Sequence, residues 1–141
     1  MKNKIELHEI CFNRKFSKLS SMCLNFTTVR WLDTLYKIGH IYEIFYVLPS
    51  KRKIHLGSAR LMRIELKSIN QLGSVFSRMD ADCDFSDFVE LMREYYGHKK
   101  HPRWRGAASE IQVLYLQKIF FAKSTQINEQ LMRAREEPLI C

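Results

Sequence analysis

No stretch of this chain approaches the roughly 18 uninterrupted apolar residues that a membrane span requires. The basic start, MKNKIELHEI, has neither a long apolar run nor a small-residue cleavage site behind it, so no bilayer crossing and no secretory leader are expected. Cysteine is sparse and badly spaced for pairing: Cys11, Cys23, Cys83 and Cys141 lack the short doublets of a zinc ribbon or a redox motif. They read as free thiols of a reducing cytoplasm, with Cys11, inside an apolar stretch, as core filling. Only five glycines occur, and none builds a phosphate-cradling loop. No Ser-His-Asp or Cys-His arrangement can be inferred, so catalysis has no motif behind it and no cofactor is implied.

What the chain does have is a large apolar share. Hydrophobic residues make up 46% and charged ones 27% of 141 residues, a balance that supports one folded domain and not a disordered chain. Nine Phe, six Tyr and two Trp forecast an aromatic-rich core. The formal net charge of +8 is unevenly placed. Residues 51–67 hold six Lys or Arg against one acid, and residues 93–105 hold five against one, with His98 and His101 added. Residues 68–92 reverse the sign, with Arg78 alone against Asp80, Asp82, Asp84, Asp87 and Glu90. Such segregation produces an oriented field suited to a polyanion, and a nucleic acid is the first partner it brings to mind.

Read for periodicity, the chain alternates strands and helices with no internal repeat. A strand is expected over Ile5 to Phe12. A helical turn or two is expected next, because Phe12, Phe16, Leu19 and Cys23 recur at three- and four-residue steps and put an apolar stripe along residues 13–23, with Arg14, Lys15 and Lys18 on the opposite side. Asn25 to Trp31 is β-branched and aromatic, a strand or extended segment. Ile41 to Leu48 reads as a buried strand stopped by Pro49, and Pro49 to Lys53 as the hairpin loop after it. In residues 58–68, Met62, Ile64 and Leu66 alternate with Arg63, Glu65 and Lys67, which predicts a strand with the first set buried. Asp84 is placed to cap a helix that Gly97 closes at Tyr96. Glu110 to Phe121 is apolar on both faces and belongs inside a sheet. Residues 1–121 are thus expected to form one domain, and 122–141 a C-terminal helix or flexible tail. The fold class is α+β: a small mixed β-barrel flanked by two or three helices, and not a doubly wound parallel sheet.

The order of these segments resembles the ASCH family, whose fold belongs to the PUA-like group of small barrels. Thr27-Thr28-Val29-Arg30, followed by Lys37-Ile38-Gly39-His40-Ile41, is similar to the family's Gly-x-Lys-x-x-Thr-x-Arg signature and its later turn into a barrel strand. The helix ending at Tyr96, then Trp104-Arg105-Gly106 and the strand from Glu110, resemble its closing elements. Together these matches span roughly residues 5–120. The resemblance implies RNA binding in a cleft beside the signature. Some members resemble hydrolases of acetylated cytidine that use a lysine, a threonine and a glutamate. In this sequence the family's glycine falls on Cys23 and its lysine on Asn25, and an amide supplies neither base nor positive charge, which weighs against that hydrolysis.

The candidate contacts are therefore nucleic-acid contacts. Thr27, Thr28 and Arg30 offer hydroxyls and a guanidinium that match phosphate oxygens, with a plain strand and a surface ion pair as the alternative. Lys37 joins them on the same rim. In the loop His98 to Arg105, Arg103, Trp104 and Arg105 set an aromatic between two cations, as single-strand binders do. Trp104 either stacks on a base there, a role open also to Trp31, or plugs the core. Lys51, Arg52 and Lys53 form a basic hairpin tip that reaches a backbone or only keeps the barrel soluble. No metal site is expected: His98 and His101 lack ligands at the right spacing. The run Asp80 to Asp84 lacks the glycine and distal glutamate of a calcium loop, and helix capping accounts for most of it. RNA is the expected partner. The rivals are a hydrolase or ribonuclease pairing Thr28 with Glu43 or Glu110, and an adaptor that docks a protein through Leu131 to Arg135.

Overall fold

The computed structural model describes residues 8–121; the expectations for Ile5 at the start of the first strand, for Cys141 and for the segment 122–141 lie outside them. Five strands form one mixed sheet in the order β1-β3-β4-β5-β2, where β1 is Glu9–Phe12, β2 Asn25–Arg30, β3 Ile41–Val47, β4 Lys53–Ser68 and β5 Glu110–Phe121. β1 runs parallel to β3, and every other pair is antiparallel. Three helices complete the fold: α1 Ser17–Ser20, α2 Gly73–Ala81 and α3 Phe85–Tyr96. It is an α+β half-barrel, as expected, and no helix among the described residues is long and apolar enough to cross a membrane.

The sheet curls because its long strand is interrupted. Register shifts fall at Ser58/Ala59 and Leu61/Arg63 on β4 and at Ile44/Phe45 on β3, and each bulge adds local twist and bend. Gly57 has φ +155°, and a Cβ there would sit 2.1 Å from the Phe120 carbonyl oxygen, so only glycine permits β4 to cross β5 so closely. The bulge at Leu61/Arg63 also alters the burial read from alternation. Ile64 packs against the core as expected, but Met62, at the shift, and Leu66 are exposed, while Ala59 and Leu61 before the shift are fully buried. The strand was legible and its inward face only in part.

Two cores lie on opposite sides of the sheet. The concave one gathers Ile10, Phe26, Tyr42, Ile44, Leu114 and Leu116; the other, beneath the helices, gathers Val29, Phe88, Met92, Trp104, Ile111 and Val113. β5 feeds both from its alternate residues, which is why it is apolar on both faces and lies between β4 and β2. α3 follows its sequence signals. The Asp84 carboxylate accepts the Asp87 N–H at 2.9 Å, and Gly97 caps the far end. α1 is one helical turn, as expected, but the apolar stripe does not run its full predicted length, because Phe12 belongs to β1 and Cys23 is exposed. α2 was not foreseen. Its outward residues Val75 and Met79 are apolar and 76% and 71% exposed, whereas its inner side mixes Phe76 and Ala81, packed on the second core, with buried Ser77 and Asp80, a weak amphipathic pattern.

Replacing Asp84 by Ala is expected to lower stability modestly through loss of the helix cap. Gly57→Ala should cost clearly more, since the added methyl meets backbone. Urea denaturation of both variants checks the order.

Candidate functional site

The sheet leaves a seam between its two edge strands, β1 and β2, and the Arg30 side chain spans it. Its Nη2 donates to the Cys11 carbonyl on β1 at 3.0 Å, its Nε donates to the Thr28 hydroxyl at 3.2 Å, and the guanidinium lies 5.0 Å from the Phe12 ring centroid. Beside this seam, roofed by α3, is a cleft of about 340 Å3 whose wall includes Phe12, Thr28, Arg30, Tyr95 and Tyr96. That volume lies at the small end of ligand sites. Cys11 also lines it and is half-buried, so the thiol is not simple core filling. Burial raises its pKa, against the pull of Lys53.

At the inner end of the cleft is a group that the periodicity placed in water. Lys18 is buried; its ammonium donates to the Thr27 carbonyl at 2.6 Å and to Asp80 Oδ1 at 3.1 Å, and lies 5.1 and 4.9 Å from the Phe12 and Phe16 ring centroids. The Thr27 hydroxyl donates to the same Asp80 oxygen at 2.7 Å. Burial lowers the Lys18 pKa, and the Asp80 charge opposes that fall. Of the acidic run, Asp84 caps α3 and Asp80 answers Lys18. Asp82 has φ 59° at the end of α2 and accepts hydrogen bonds from the Ser17 N–H, at 2.7 Å, and from the Ser17 hydroxyl. Capping explains only part of that run. Lys18, Asp80, Tyr95 and Tyr96 escaped the sequence reading; the one available signal was an aspartate more than the helix ends require.

A second concavity, a groove of about 790 Å3, lies between the turn after β2 and the loop before β5; Trp31, Asp33, His101, Arg103, Arg105 and Glu110 line it. The Trp31 ring stacks on His101 at 4.7 Å and on Tyr96 at 5.6 Å. Trp104 is not available for stacking. It is 3% exposed and plugs the core beneath the helices, which leaves Arg103 and Arg105 to the groove.

The expected single rim is therefore divided. Thr28 and Arg30 face the cleft, while Thr27, on the other face of β2, turns to Asp80. Arg103 and Arg105 line the groove. Lys37 lines neither; it is exposed in the loop before β3, where its backbone N–H donates to the Tyr42 hydroxyl at 2.8 Å. Lys51, Arg52 and Lys53 stand at the exposed β3–β4 tip, with Lys53 paired to Glu9 at 2.6 Å. Neither carboxylate named beside Thr28 is in the cleft. Glu43 accepts from Ser58 at 2.8 Å and lies 2.5 Å from the His55 ring nitrogen, and Glu110 lines the groove.

Asp80→Asn should destabilise the protein by about 3–5 kcal/mol, because it leaves a buried ammonium unanswered; pairing Lys18→Met with Asp80→Leu should recover most of that loss in urea denaturation. A pH effect follows from Tyr96. Burial pushes its phenol up to about 12, against the lowering pull of Arg30. The unfolded phenol titrates near 10, so this contribution is whole below about pH 10 and is lost as pH rises toward 12. Tyr96→Phe should remove that loss, up to about 3 kcal/mol, when stability is followed against pH.

Among solved structures, the chain is similar to the crystal structure of a single-substitution mutant of ZmASCH from Zymomonas mobilis. The TM-score is 0.53 and the identity 20%, covering 94% of this chain and 84% of that one. A second mutant of the same protein aligns with a TM-score of 0.48 and 18% identity, over 92% and 82% of the two chains. No family model matches the sequence, and no curated protein matches it. The first likeness shows the fold alone: the α+β half-barrel of this chain is similar to that of ZmASCH.

Proposed function

We propose that this protein is a non-catalytic RNA-binding module of the ASCH type. The observation that carries the reading is the cleft at the β1–β2 seam. A guanidinium and a threonine hydroxyl sit there beside the aromatic side chains Phe12, Tyr95 and Tyr96, around a volume of about 340 Å3. Arg30 commits two donors to Cys11 and Thr28, and a guanidinium has five in a planar fork, so donors remain for a phosphate or a base edge. The net charge of +8 supplies the long-range attraction.

A second reading, hydrolysis of an acylated nucleoside, draws on one observation. Where Asn25 provides no charge, Lys18 brings an ammonium to the cleft that Thr28 and Asp80 also line. Its engagement with Asp80 and the Thr27 carbonyl fits a structural cation better than a free base.

Filter binding of single-stranded RNA should weaken with salt, with a log–log slope of about −0.7 per phosphate neutralised, and Arg30→Gln should make that slope shallower. RNA that fails to bind at any salt concentration removes the reading. Incubation with N4-acetylcytidine followed by chromatography separates the two proposals: released cytidine supports the hydrolase, and its absence alongside saturable RNA binding supports the binder.

A further inference from the structure

We infer that the groove beside Trp31 is a second nucleic-acid subsite, in which the exposed face of the Trp31 indole stacks on a base of single-stranded RNA while Arg103 and Arg105 hold its backbone. This rests on the RNA-binding reading and extends it beyond the seam cleft.

The ring geometry comes first. Tyr96 and His101 both stack on Trp31, yet their centroids are only 5.8 Å apart. If they sandwiched the indole, they would be separated by nearly the sum of their 5.6 and 4.7 Å spacings. Both therefore lie on the same side. The opposite indole face has no ring partner among the described residues, and Trp31 is half-buried in the groove wall. A half-covered indole braced from behind is a stacking platform of the kind single-strand binders use.

The platform is also held in place. The buried Gln112 side-chain amide donates to the Trp31 carbonyl at 2.7 Å and to the Thr34 carbonyl at 2.8 Å, so the turn carrying the indole is fixed from the sheet. Little ordering remains to be done on binding.

The cations are placed by the residue between them. Because Trp104 is sunk in the core, the residues on either side of it turn outward, and Arg103 and Arg105 are exposed. Among the described residues neither forms a salt bridge; Arg105 reaches only its neighbours' carbonyls, at 3.3 and 3.5 Å. Two guanidinium groups without carboxylate partners beside an aromatic face fit a polyanion with stacking bases. Asp33 and Glu110 on the same groove repel phosphate, which assigns the backbone to the arginine side. Tyr96 lines the cleft and also braces Trp31, so a single aromatic wall separates the two sites and one strand can engage both.

The test uses the full chain and a labelled mixed-sequence 12-mer of single-stranded RNA, followed by fluorescence anisotropy and by intrinsic tryptophan fluorescence. Arg103→Gln with Arg105→Gln should weaken binding on the order of ten-fold near physiological salt and reduce the salt slope by about 1.4, the share of two phosphates. Trp31→Ala should weaken it on the order of ten-fold. Trp31→Phe keeps a ring for stacking, so it should retain most affinity while abolishing the RNA-induced fluorescence change, Trp104 being buried. Wild-type affinity and slope in the double arginine variant, or an unaltered fluorescence response in Trp31→Phe, overturns the groove assignment while RNA binding stands. A wild-type chain that binds no RNA overturns the functional reading itself.

Discussion

An ammonium taken out of water must be answered at close range, since the desolvation cost of a lone buried charge exceeds what a small domain can absorb. Lys18 is that ammonium, and the geometry around the seam follows from how it is met. α1 is a single turn, too short to persist alone. It is held because Lys18 binds the Thr27 carbonyl of β2 and Asp80 of α2, and because Asp82 takes Ser17 at the helix start. One cation therefore joins a strand and two helices at the place where the sheet has no strand partner to offer. A pair of this kind adds little net stability compared with an apolar replacement. What it contributes here is position: it fixes the edge of β2, on which Thr28 and Arg30 are mounted.

How far the fold could be read depended on whether local pattern and tertiary setting agreed. In α3 they agree: Asp84 caps, Gly97 terminates, and Phe88 and Met92 face inward. In β5 they agree as well, because a strand feeding two cores must be apolar on both sides. They diverge in α2, whose inner side sets Ser77 and the Lys18 partner Asp80 beside Phe76 and Ala81, and whose Val75 and Met79 look outward. They diverge again at Met62, which falls at a bulge in a correctly recognised strand, while Ile64 beyond it packs on the core. A bulge leaves no periodic trace of its own, so alternation could not have revealed it.

The candidate residues were of the right types but could not be assembled from sequence. Thr27 and Thr28 are neighbours in the chain, yet strand alternation sends them to opposite faces, one to the carboxylate of Asp80 and the other to the seam. The triplet Arg103-Trp104-Arg105 has the same local chemistry whether its indole points in or out. The vacancy in the second core decides, and it is built by Phe88, Ile111 and Val113 from elsewhere. The aromatic left at the surface is Trp31, which the sequence reading held only as a substitute for Trp104.

In the sheet of the described residues β2 has β5 as its one strand neighbour, with Asn25 opposite Gln117 and Arg30 opposite Gln112. During synthesis the β3–β4 hairpin can close early, since its strands are adjacent in the chain, but β2, Asn25–Arg30, must wait for a partner that begins only at Glu110. Asn25, Thr27 and Arg30 keep this waiting ribbon hydrophilic along much of its length, which discourages pairing with other nascent chains. The cleft and the groove therefore take shape only after β5: a polypeptide released before β5 has emerged carries neither recess in finished form.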